Sequence, residues 1–163
     1  PGPYQTSVSA LYGRMASPGG IGPGQIRAYG EGVQTLEARI GKRVEMLAVL
    51  LTARAHNSQY DWTMHEPLAL DAGLEREVVD IVRHRRSIGD LEDKDATLVA
   101  FARELFSNHN VRADTYARAK RAFGETNLVD IVALMGAHAA DAVMFAGFDQ
   151  RLPEGVDPLL PLP

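Results

Sequence analysis

"RVEMLAVLLTARAHN", residues 43–57, runs directly into "SQYDWTMHEPLALDAGL", residues 58–74, and the reading of this stretch decides the fold. Its first half is apolar on nearly every side, which predicts a helix enclosed by several neighbours rather than one with a wet face. The second half opens on Asn57 and Ser58, residue types that cap helix N-termini, and closes on Gly73, a common C-terminal stop. Pro67 lacks a backbone donor and predicts a kink just after His65. The two halves together read as an antiparallel helical hairpin turning near Asn57.

Downstream, apolar spacing and stop signals predict helices at about 75–86, 93–108, 113–123 ending at Gly124, and 126–148. Upstream lie a short helix at 5–15, the loop "SPGGIGPG" at 17–24 and a helix at 25–37. No strand precedes those glycines and no Lys-Ser/Thr follows them, so they read as a connector and not a phosphate cradle. Alternating β-branched runs are missing throughout, and the fold class is all-α. A chain of 163 residues suits one domain with a real core. The expected organisation is an N-terminal helix and Gly-rich connector over 1–24, a helical domain over 25–150 and a Pro-rich tail over 151–163.

Seventeen basic against 21 acidic side chains give a net charge of -4, which offers a nucleic acid no electrostatic attraction. The basic run "RHRR" at 83–86 reads as a solvated helix end, where cations suit the macrodipole. With no cysteine, disulfides, thiolate metal sites and cysteine nucleophiles are excluded. The opening "PGPYQTSVSALYG" has neither the basic leader nor the apolar run of a signal peptide, so a cytoplasmic location is expected. The last helix, "TNLVDIVALMGAHAADAVMFAGF", is apolar nearly all round and rich in small residues, which predicts packing against other subunits in a homo-oligomer. His138 and Asp141 interrupt that run, and no membrane span is expected.

Polar residues on apolar helices are where chemistry concentrates, because a buried charge needs a partner, a shifted pKa or an exit to solvent. Glu45 is the first of these. In the hairpin it lies about 18 Å from the turn and His65 about 12 Å, a mismatch of roughly one helical turn. Asp61 and His65, four apart, share a face, with Ser58 at the helix start. A carboxylate beside an imidazole fixes its tautomer and prepares it for proton transfer near neutral pH. The competing reading makes Ser58 a cap, Asp61 a favourable charge at the helix N-terminus and His65 a satisfied core residue. Asp130, His138 and Asp141 fall within about 80° of one another on the last helix. The pairs Asp61 with His65 and His138 with Asp141 also resemble carboxylate-imidazole sets that bind divalent metals, although no His-Glu-x-x-His motif is present. His56, His84 and His109 lie in polar surroundings and read as surface residues.

"VEMLAVLLTARAHNSQYDWTMHEPLALDAGL" at 44–74 resembles the signature region of the carboxymuconolactone decarboxylase family, which also contains the alkyl hydroperoxidase D (AhpD) proteins. "ATLVAFARELFSNHNVRADTYARAKRAFG" fits its linking helices, and "FAGFDQRLPEGVDPLLPLP" is similar to its tail. The resemblance spans about residues 25–163. It implies an AhpD-like helical bundle assembled as trimers or hexamers, with the active site beside the hairpin. The hydroperoxidase branch carries a Cys-x-x-Cys pair where this chain has Ser58 and Asp61, a histidine matching His65 and a relay glutamate matching Glu45. Peroxide reduction by that route needs the sulfurs, so thiol peroxidase activity is not expected.

The decarboxylase branch lacks the pair and uses no cofactor, which implies a cofactor-free lyase acting on a small cyclic carboxylic acid or lactone. His65 is then the general acid/base, positioned by Glu45, with Asp61 and Ser58 completing the catalytic set. Arg54 or Arg43 would orient the substrate carboxylate, Tyr60 and Trp62 would wall the pocket, and His138 would contact substrate. His138 and Asp141 stand where many relatives have aromatic or aliphatic residues. Two alternatives remain open: a metal-dependent hydrolase or lyase using Asp61, His65, His138 and Asp141, and a non-catalytic ligand-binding oligomer.

Overall fold

The computed structural model describes residues 32, 34–89 and 91–162. The helix expected at 5–15 and the Gly-rich loop at 17–24 lie outside the described residues. Residues 34–40 are helical, and Gly41 separates them from α1, Lys42–Ala55. Five more helices follow: α2 (Gln59–Asp71), α3 (Arg76–Arg83), α4 (Asp93–Asn108), α5 (Ala113–Phe123) and α6 (Glu125–Gly147). No strand occurs among the described residues, and the all-α class holds. Helices α4 and α5 match their expected limits, while α3 ends three residues early, at Arg83.

α1 is the axle of the fold. Met46 to Leu51 and Ala53 are almost without exposure, and the helix packs on α2, α3, α4 and α6. Burial on all sides is what its unbroken apolar composition dictates, since any outward-turned face would leave leucine in water. Ser58 is the N-cap of α2, its Oγ accepting the Asp61 N–H at 3.4 Å. The helix runs through Pro67 to Asp71 and stops just before Gly73, as expected. The proline ring is exposed, so it meets solvent instead of packed neighbours. On α3, Val78, Val79, Ile81 and Val82 form a single buried stripe, the amphipathic pattern of a helix lying on a core.

α6 packs on α1, α2 and α5. Ile131, Leu134 and Met135 join the main core, while Leu128 joins Phe101 of α4 and Ala119 of α5 in a smaller cluster. The tail after α6 folds back over α2: the Leu159 N–H reaches Thr63 Oγ1 at 3.2 Å, and Leu160 is buried in the main core. By length and composition α6 could cross a membrane. In this structure it instead carries His138 into the interior beside α2.

Candidate acid-base site

Ser58 starts α2 so that Asp61 falls in the first turn and His65 one turn later on the same face. α6 lies across that face and delivers His138 from 77 positions away in the chain. One carboxylate then serves two imidazoles. Asp61 Oδ1 is 3.4 Å from His65 Nδ1, and Asp61 Oδ2 is 3.4 Å from His138 Nδ1. The rings stand edge to face with centroids 5.3 Å apart. Asp61 and His138 are buried and His65 is partly exposed, so the last has an open side.

The tautomer of His65 follows from its shortest contact. Its Nδ1 lies 2.8 Å from the Asp61 backbone oxygen. A carbonyl oxygen only accepts, so Nδ1 carries the proton and Nε2 presents a lone pair. Burial holds the His65 pKa below its ordinary 6.5, against the opposing charge of Asp61, that Asp61 carbonyl bond and Asp141; His138 adds to the lowering. His65 therefore rests neutral at pH 7, with carboxylates placed to stabilise an imidazolium when one forms.

The remaining expected residues divide by location. Glu45 is buried, one oxygen 2.9 Å from Lys42 Nζ and the other, Oε2, without a hydrogen-bond partner. Its partner is thus a lysine on its own helix. Tyr60 stacks at a tilt on Phe145 of α6, ring centroids 5.0 Å apart, and burial followed by the charge of Asp61 pushes its phenol pKa up. Trp62 is fully buried, its Nε1–H donating to Glu66 Oε2 at 2.6 Å, while Arg83 pairs with Glu66 and lies over the indole. Arg43 is clamped by Asp95 at 2.9 and 2.7 Å and by Glu75, and the Asp95 hydrogen bonds raise its pKa. Asp130 pairs with Arg39. His56, His84 and His109 are exposed.

Arg54 borders a pocket of about 390 Å³ formed where the ends of α1, α3 and α4 meet, and none of Asp61, His65 and His138 lines it. In the "RHRR" run His84, Arg85 and Arg86 are exposed at the end of α3, as expected, while Arg83 departs from that state, tied to Glu66 and Asp80; Arg85 also lines this pocket. Glu66 and Arg103 were not singled out in the sequence, although the four-residue spacing of Glu66 from Trp62 is a signal, and Arg83 and Arg85 stood out only as part of the basic run.

No family model matches the chain, and no curated protein matches it. A solved structure does match: a protein of unknown function from Agrobacterium tumefaciens, described as a candidate antioxidant defence protein AhpD. It superposes with a TM-score of 0.65 at 14% identity, over 80% of this chain and 92% of that one. The chain has the AhpD-like helical fold. At that identity the likeness extends to the fold alone.

Proposed function

We propose that the chain is a decarboxylase-like lyase, independent of any cofactor, acting on a small cyclic carboxylic acid or lactone through His65. The observation that supports it most is the fixed His65 tautomer: Nδ1–H is held by the Asp61 backbone and Nε2 is left for substrate. In such a reaction the bond from carbon to carboxylate breaks, carbon dioxide leaves, and the electron pair moves into the conjugated carbonyl. The carbon then takes a proton. His65, charged from water and stabilised by Asp61, delivers that proton from Nε2, and its lowered pKa makes the imidazolium a stronger acid. The same proposal places the protein in the cytoplasm as a trimer or hexamer, with no nucleic-acid or membrane partner.

The test is carbon dioxide release from a panel of carboxylated lactones across pH 5–9, with His65→Gln as control. The expected kcat/KM falls as pH rises through a midpoint below 6.5, because the acid form is consumed. A limb that rises with pH would make His65 a base in isomerisation or lactone opening, and would sink the decarboxylation reading. One observation favours a second reading. One ligand atom from each of Asp61, His65 and His138 lies within 4.8 Å of the others. Donors about 2.1 Å from one ion lie at most about 4.2 Å apart, so the set must contract slightly to hold a divalent metal. Stoichiometric metal in protein purified without chelators, lost in Asp61→Ala and His138→Ala, would replace the first reading with this one.

A further inference from the structure

The pocket between α1, α3 and α4 carries a second set of charges independent of the acid-base site. Its apolar wall is Leu51, Val82, Ala102 and Phe106, and its polar rim is Arg54, Arg85 and Arg103. Among the described residues, none of these three arginines forms an ion pair. Arg54 donates to Asn57 Oδ1 at 2.6 Å and keeps a buried Nε with no partner. Arg85 reaches the Arg54 carbonyl at 3.2 Å and Asn57 Oδ1 at 3.3 Å, from a left-handed backbone with φ of 51°. Arg103 donates to the Ile81 carbonyl at 3.2 Å. All these acceptors are neutral, and each guanidinium has five donors, so most donor positions stay open.

Such a cluster is electrostatically incomplete. Arg54 is buried, Arg103 half-buried and Arg85 exposed; like charges gathered on one pocket repel, and a bound anion would offset that repulsion. Arg39, Arg43, Arg83 and Arg112 are each paired with acids, whereas these three arginines converge on one pocket without one. Burial and the charge of Arg85 lower the pKa of both Arg54 and Arg103, which fits a set lacking its counter-ion. The volume falls within the range of small-molecule sites, and guanidinium forks match planar carboxylates.

We infer that this pocket is a binding site for a small carboxylate with an apolar body, its head held by Arg54, Arg85 and Arg103 and its body laid against Phe106 and Leu51. The test is calorimetric titration of the full chain with benzoate, acetate and inorganic phosphate at low ionic strength. Benzoate is expected to bind saturably and at least tenfold more tightly than acetate or phosphate. Arg85→Gln and Arg103→Gln should each weaken it at least tenfold, whereas His65→Gln should leave it unchanged. In the absence of ligand, Arg85→Gln should raise the melting temperature at low salt, since it relieves repulsion; this keeps the test interpretable through folding. No saturable binding, equal affinity for acetate and benzoate, or unchanged benzoate affinity in both arginine variants would overturn the inference. Loss of binding in His65→Gln would also overturn it, by merging this pocket with the acid-base site.

Discussion

Asp61 touches both imidazoles, and the electrostatics of the site follow from it. Its charge opposes the burial that lowers the His65 pKa. Asp61→Asn removes that opposition, so the His65 pKa should fall further; imidazole proton chemical shifts followed against pH would show it, and an upward move would refute the arrangement. The shift also has a sign for stability. A histidine whose folded pKa is below its unfolded value binds fewer protons when folded, so its contribution is complete above about 6.5 and is lost as pH falls through that value toward the folded one. Denaturant midpoints should therefore drop less between pH 7 and pH 5 in His65→Gln than in the parent. The Asp61 and His65 pair was legible from a four-residue spacing. Its meeting with His138 was not, because 77 positions separate them and only the packing of α6 on α2 brings them together.

Helix junctions set where those side chains arrive. Gly41 and Gly124, which end one helix and begin the next, have φ of 82° and 80° with ψ of 150° and 158°, a region open essentially to glycine alone. An added Cβ at either would meet nothing within 4 Å, so the cost of substitution is conformational and not steric. Gly124→Ala should destabilise the fold by about 1–3 kcal/mol, read from urea midpoints, with helix content retained. An unchanged midpoint would mean that the junction is not under that constraint. The Gly124 stop was readable in the sequence, as were the limits of α4 and α5, because capping and stop chemistry is local. The roles of Arg43 and Trp62 were not. Asp95 and Glu75 capture the first and Glu66 the second, and burial beside a particular acid depends on contacts that periodicity does not encode. Trp62→Phe should accordingly cost about 2–3 kcal/mol, through lost volume and a lost charged hydrogen bond.

For the whole molecule the unsettled balance is on α6. The helix is apolar, yet Val129 and Val143 are 62% and 64% exposed, and about 39% of its most apolar window is buried. An exposed apolar face on a long helix is covered by lipid or by protein, and the two make different predictions. His138 sits beside Asp61 only when α6 packs on α2, an arrangement a spanning helix would give up. The homo-oligomer proposed above accommodates both facts: α6 keeps His138 inward and turns Val143 toward another copy. Sedimentation equilibrium should then show a mass above one chain in aqueous buffer without detergent. Val143→Glu should shift that mass toward the monomer while circular dichroism keeps the helical signal, because Val143 lies outside the buried core of its own chain. A monomeric parent in detergent-free buffer would remove assembly from the proposal, whereas recovery only with detergent would assign α6 to a membrane.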